Sequence, residues 1–442
     1  MSIALPLLTA LCAIAGLLGV MAGVRHLAKT RGWAPEVQRK TVHIATGLFA
    51  MSLPWLFAED WPVWVLLGLT LAVMAVLRLP ALRRGGLGAT LHDVERRSYG
   101  DFLLALAVGV LFLLHNGEAV LYLLPLAIVT LADAAAALAG SLYGRRFFEV
   151  EDGRKSVEGS AVFFMVCLLL VMVALLLLTE VDRVSVVVLG LMVAAFATMV
   201  EADSWRGFDN LFLPLGTFFF LAANLDAAPW ALFAQALLFG AALLTFRVFA
   251  PSLGLSPHAA RVYVISVFLI LSVTQPQNAV LPVLLLAAHI WARLCNPSTE
   301  RFPDLDIIAV LALLSFGAMA AGDATGRNAL SFFTLASGGV AAGLASVAAA
   351  RRHPAVSLAL RVAAVAGLLA VWLWTLRMNP PEVRWHGTIW PFALALLAGM
   401  ALLPVLRPVA FAGERSLKLA LAAIPPVAML YAVLVAVGPI LP

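Results

Sequence analysis

The residues of this sequence able to do chemistry sit in a few polar segments of an otherwise apolar chain. Asp133 is an ionisable group inside the apolar run 119–143, two to three turns before that run ends. A carboxylate so placed costs about 2.5–3.5 kcal/mol on membrane-insertion scales, and function is its default explanation. Downstream follow Gly140, Gly144 and the stretch Gly153-Arg154-Lys155-Ser156-Val157-Glu158-Gly159. A lysine beside the free N–H groups and positive dipole end of a helix makes a phosphate cradle, and Ser156 also fits a simple N-cap. Arg39-Lys40-Thr41-Val42-His43 heads the second apolar run. Arg39 and Lys40 lie four and three residues from His43, so all three share one helix face. Glu201-Ala-Asp203-Ser-Trp-Arg206-Gly207-Phe-Asp209-Asn210 sets three carboxylates against one arginine, an oxygen-donor set suited to Mg²⁺ once phosphate and water complete the shell. Ser98, Tyr99 and the arginines before them are further candidates for substrate phosphate. Each segment also has a plainer account: a positive-inside anchor with a packed histidine, small residues for helix packing, or a solvated turn closed by Gly207 and Pro214.

The elements that must position these residues follow from composition. With 63% hydrophobic and 12% charged residues, the 442-residue chain is far from the roughly one-quarter charged share of a soluble domain. An all-α, polytopic membrane helix bundle is predicted. At roughly 20 residues per span, the hydropathy places about sixteen helices, the fifth near 119–143, the sixth near 159–179, the seventh near 184–201 and the eighth near 211–224. Both termini fall on the non-cytoplasmic side, because this alternation puts every one of the 29 Lys and Arg residues except Arg183, Arg327, Arg377 and Arg384 on the cytoplasmic side. The motif-bearing loops then share the cytoplasmic face. Cys12, Cys167 and Cys295 lie in or beside apolar runs without C-x-x-C spacing, which argues against a disulfide framework or a thiolate zinc site. Nearly all polar motifs precede a seam near 225–258, so the chain is divided into a catalytic part, 1–230, and an unassigned bundle, 231–442.

Within residues 36–214, Arg39-Lys40-x-x-His43, Ser98-Tyr99-Gly100, the Asp133…Gly140…Gly144 segment with Lys155-Ser156-x-Glu158-Gly159, and Gly207-x-Asp209-Asn210-Leu211-x-x-Pro214 occur in one order. This pattern resembles the membrane-embedded polyprenol kinase family, which includes dolichol, phytol and farnesol kinases. The resemblance implies transfer of the γ-phosphate of CTP, or sometimes of another nucleotide, to the terminal hydroxyl of a long isoprenoid alcohol, with Mg²⁺ expected from the carboxylate cluster above. It implies nucleotide contact by Gly140, Gly144, Arg154, Lys155, Ser156, Glu158, Gly159, Asp209 and Asn210.

Phosphoryl transfer asks the protein mainly for positioning and charge neutralisation. Lys155 and Arg154 are assigned to the triphosphate, Arg39, Lys40, Ser98 and Tyr99 to substrate phosphate, and Glu201, Asp209 and Asp133 to the metal. Asp133 or His43 orients or deprotonates the hydroxyl; Asp133 serves equally as a metal ligand. The related phosphatidate cytidylyltransferases share the Asp…Gly…Gly…Lys segment, but their His-Gly-Gly and Asp-Arg-x-Asp signature is not found here. A transporter is the alternative from another class, drawing on Gln275, Gln277, His289, Asp323 and Arg327, without any inverted repeat to support it.

Overall fold

The computed structural model describes residues 4–57, 59–77, 99–150, 153–252, 255–274, 276–380 and 389–437. Ser98 and Gln275 lie outside these residues. Besides the one-turn helices Leu53–Leu56 and Pro408–Phe411, the helices are α1 (Ala4–Arg31), α2 (Pro35–Met51), α3 (Trp61–Leu77), α4 (Gly100–Leu114) and α5 (Ala119–Tyr143), then α6 (Val157–Leu178), α7 (Arg183–Asp203), α8 (Asp209–Asn224) and α9 (Pro229–Phe249). There follow α10 (Pro257–Val273), α11 (Pro276–Cys295), α12 (Leu305–Thr325), α13 (Leu330–Ala349), α14 (Pro354–Met378), α15 (Trp390–Leu406) and α16 (Arg415–Val437).

Among the described residues ten helices are long and apolar enough to cross a membrane, and four more are apolar but shorter. The chain is therefore an integral, multi-pass, helical membrane protein. The helices α2 and α8 fall in neither group, and they carry Arg39, Lys40, His43, Asp209 and Asn210. An antiparallel hairpin between α5 and α6 departs from the all-helical expectation: β1 (Phe147–Val150) pairs with β2 (Gly153–Ser156), Phe147 opposite Ser156 and Glu149 opposite Arg154.

Local sequence explains many helix ends. Ser156 accepts from the Gly159 N–H at the start of α6, and Asp182 accepts from Val184 and Ser185 N–H at the start of α7, each satisfying N–H groups that a helix start leaves unpaired. Pro35 and Pro354 open α2 and α14, where a missing N–H costs nothing. Gly326 ends α12 at φ +63, a left-handed stop that glycine adopts readily.

Two compact units divide the chain, Met1–Ala236 and Leu237–Pro442, the division falling within α9. In the first, α6 packs against α5 and α7, and α8 packs against α4 and α5, while α1 meets α2 and α3. In the second, α13 is buried from Ser331 to Ala349 and is surrounded by α11, α14, α15 and α16. Gly339 and Gly343 let α16 and α15 approach it closely. Near the ends of α11 and α12 a dense polar network closes. Tyr263 donates to Asp304 at 2.7 Å, His289 bridges Asp304 (3.2 Å) and Ser416 (2.9 Å), and Arg293 pairs with Asp304 at 3.0 Å.

Candidate active site

The first unit encloses a cavity of about 1000 Å³. Arg39, Lys40 and His43 on α2, Asp133 and Gly140 on α5, Arg154, Lys155 and Ser156 on the hairpin, Gly159 on α6, Glu201 on α7, and Asp209 and Asn210 on α8 all line it, as does Tyr99. Segments separated by up to about 170 residues of sequence thus meet around one space, at an end of α2 and α4 where polar side chains predominate. Gly144 and Glu158 are not among its lining residues.

The centre is an ion pair. Lys40, 3% exposed, places Nζ 2.5 Å from Asp133 Oδ2. His43 Nε2 lies 3.6 Å from the same oxygen and 2.9 Å from the Val129 carbonyl. A carbonyl can only accept, so Nε2 carries the proton and Nδ1 is the basic nitrogen of His43. Asp133 Oδ1 is left without a hydrogen-bond partner among the described residues.

That carbonyl lies in a stretch where α5 is not a regular helix. Ile128–Ala132 forms a π-helical turn immediately before Asp133, three residues after Pro125, which supplies no N–H to the helix and crowds the preceding turn. Wider turns of this kind occur at functional sites, where they free a backbone group and re-aim a side chain. Gly47 on α2 allows the approach, since a Cβ there would overlap Thr130 of the π turn.

A second ion pair lies across the cavity. Lys155 Nζ is 2.8 Å from Glu201 Oε1, also donates to the Glu201 carbonyl, and reaches Ser204 Oγ at 3.5 Å. Burial works against the Lys155 ammonium, but Glu201 and then Asp209 outweigh it and hold its pKa above the ordinary value. The lysine therefore stays charged. The hairpin sets Arg154 beside it: the guanidinium lies 5.1 Å from the Phe147 ring centroid, a cation–π contact between diagonal positions of the two strands. Asp209 begins α8, its Oδ1 accepts from Asn210 N–H at 3.0 Å, and it has no ion-pair partner among the described residues. The loop before it turns through Arg206 (φ 50) and Gly207 (φ 84), and Tyr99 N–H binds the Arg206 carbonyl at 2.9 Å, tying the start of α4 to the site.

The glycines and Glu158 have structural work. A Cβ on Gly140 would come 2.8 Å from Ser156 Oγ, and one on Gly159 would come 2.9 Å from the Ala136 carbonyl, so both let α5 and α6 approach. A Cβ on Gly144 would meet Ser156 Cβ at 3.0 Å. Glu158 accepts from Arg145 and Arg146 N–H at 3.0 and 3.3 Å, fixing the turn between α5 and β1.

Among the described residues no three His, Cys, Asp or Glu side chains converge as a ready metal shell. Of the three carboxylates expected to bind metal, Asp133 and Glu201 are each paired with a lysine. Carboxylate oxygens still suit Mg²⁺, which usually keeps water and takes phosphate oxygens beside one or two protein ligands. The sequence reading passed over Glu36, which lines the cavity and binds Arg39 at 2.7 Å; an acid three residues before Arg39 on one helix was the available signal. It also passed over Ser204 and Trp205, which line the cavity from the loop after α7.

No family profile matches the chain, and no solved structure matches it. The chain is 32% identical over 219 residues to a phytol kinase of Synechocystis sp., a match covering 48% of this chain and 91% of that protein. The match corresponds to the N-terminal half, the half that contains the cavity. Through that half, the chain belongs to the polyprenol kinase family.

Proposed function

We propose that the protein is a CTP-dependent kinase that phosphorylates the hydroxyl of an isoprenoid alcohol of the phytol, farnesol or dolichol class. The observation that carries this reading is that a carboxylate with one free oxygen, a buried and a half-buried lysine, an arginine and an aspartate without an ion-pair partner among the described residues line one cavity. Lys155 and Arg154 bind the triphosphate and neutralise the charge that accumulates as the γ-phosphoryl group is transferred. Asp209, Asn210 and Glu201 hold Mg²⁺, which when bound screens the phosphate oxygens.

Asp133 accepts the hydroxyl proton on Oδ1 while Lys40 fixes its orientation through Oδ2, the same oxygen that His43, tethered to the Val129 carbonyl, flanks. The alcohol oxygen bonds to the γ-phosphorus, the bond from that phosphorus to the β–γ bridging oxygen breaks, and the nucleoside diphosphate leaves. Arg39 and Tyr99 guide the product phosphate. The topology that goes with this reading has sixteen crossings, both termini outside, and the cavity mouth at the cytoplasmic face, where nucleotides are found.

The test is incubation of the purified protein with Mg²⁺, γ-labelled CTP and a panel of prenols. Label in a prenyl monophosphate is the expected result. Label released as pyrophosphate with a CDP-lipid product would assign cytidylyl transfer instead, and ATP in place of CTP tests the choice of nucleotide.

A further inference from the structure

The cavity does not stop at its charged residues. Along α2 its lining continues without a break from Lys40 and His43 through Thr46 to Phe49 and Ala50, a descent of about 15 Å at 1.5 Å per residue. Along α4 it passes in the same sense from Asp101 through Leu104 to Val108. The opposite walls are apolar stripes. Ile14, Leu17, Leu18 and Met21 on α1 recur at spacings of three and four residues, and Leu66, Thr70, Val73 and Met74 on α3 do likewise, so each helix presents one face to the space.

Two hydroxyls that would make these walls polar are already used. Thr46 donates to the Val42 carbonyl at 2.9 Å and Thr70 to the Leu66 carbonyl at 2.7 Å, so each presents mainly its methyl group. At the far end α3 closes on α4: a Cβ on Gly109 would lie 3.0 Å from Leu67, and Leu53, Leu66 and Val108 there are buried.

We propose that this groove between α1, α2, α3 and α4 binds the hydrocarbon tail of the alcohol, and that Thr70 stands at the depth where tail length is selected. The assignment rests on the kinase reading, which supplies an occupant with a polar head and an apolar tail. The groove supplies the matching order, charged groups at one end and a long apolar channel continuous with them. A tail lying there delivers its hydroxyl to Asp133 and keeps water from the transfer site. Removing channel space removes tail contacts, and one methylene in a hydrophobic pocket already changes selection by about tenfold or more.

The experiment compares Thr70→Trp with Leu69→Trp, whose side chain is 37% exposed on the same helix and absent from the cavity lining. kcat/KM is measured for phytol and for the shorter alcohol geraniol. Thr70→Trp should lower the value for phytol by about tenfold or more relative to geraniol, with Leu69→Trp leaving the ratio unchanged. An unchanged ratio in Thr70→Trp overturns the proposal, as it would if bilayer acyl chains alone filled the groove.

In parallel, a prenyl alcohol with a diazirine at its tail end is photo-crosslinked to the wild-type protein in nanodiscs and the adducts are mapped. Adducts on the α1 and α3 stripes, competed by phytol, support the groove even if no alcohol is phosphorylated, a result that would sink only the kinase reading. Adducts elsewhere overturn the groove even if turnover is normal.

Discussion

Each of the two units holds a cluster built around an aspartate and a histidine, and the clusters differ in what they leave over. In the second unit Asp304 is 1% exposed, Tyr263 and Ser416 are fully buried, and one carboxylate is shared by Tyr263, His289 and Arg293. The order Ser416–His289–Asp304 has the sequence of contacts of a hydrolase triad, yet the serine has no exposure through which a substrate could reach it. In the first unit Lys40 and His43 meet only one oxygen of Asp133, and the group lines an open cavity. An aspartate and a histidine thus fasten helices in one place and line a cavity in the other, and the distinguishing feature is an unused carboxylate oxygen facing space.

The comparison breaks first at the site. Asp133→Asn keeps the shape but removes the proposed base, and Lys155→Ala removes the charged donor proposed to bind the phosphates. Turnover should fall by about 10²–10⁴-fold for the first and about 10²–10³-fold for the second in the labelled-CTP assay, with membrane insertion and purification yield retained. Near-normal rates in both would move the chemistry elsewhere.

Asp304→Asn sharpens the other half. It leaves Arg293 and His289 around a neutral group in a closed network, and breaking a buried pair costs about 3–5 kcal/mol, read as a lowered unfolding midpoint of the full chain in detergent. Turnover of the protein that remains folded should match wild type. Burial alone would raise the Asp304 pKa, but His289, Arg293 and Tyr263 hold it below the ordinary carboxylate range. Its stabilisation is therefore complete above the unfolded value of about 3.9 and is lost as pH falls through the lower native value. Acid titration should show this loss in wild type and not in Asp304→Asn.

The smallest effect is expected from Gly140→Ala. The new methyl group comes 2.8 Å from Ser156 Oγ, and a strained contact of this size costs about 1–3 kcal/mol, measured by thermal unfolding, with a loss of turnover smaller than that of Asp133→Asn.

Much of this was legible in the sequence, because a bilayer imposes runs of apolar residues that hydropathy detects, and because Asp133 within such a run carries its own warning. The motif order brought the family into view and singled out Lys155, Asp209 and His43, which the fold gathers around one cavity. The ion pairs were not legible. Lys40 is 93 residues from Asp133 and Lys155 is 46 from Glu201, and no local spacing rule connects residues so far apart. Lys40 and Lys155, read as phosphate ligands, prove also to hold the two acids in place. The hairpin escaped because its strands are four residues each, too short to show an alternating pattern. Gly144 and Glu158 were read as nucleotide contacts from their company in the motif, whereas their neighbours give them packing and turn-fixing roles.

The π turn carries a consequence for the origin of the site. Such a turn is a regular helix with one residue too many, and a single extra residue rotates everything beyond it by about 100° about the helix axis. Asp133 follows directly on Ile128–Ala132, so an ancestral helix lacking that residue would have aimed the same carboxylate at a different neighbour. A one-residue change in the length of that turn, beside Pro125 and opposite Gly47, would therefore swing Asp133 away from the cavity.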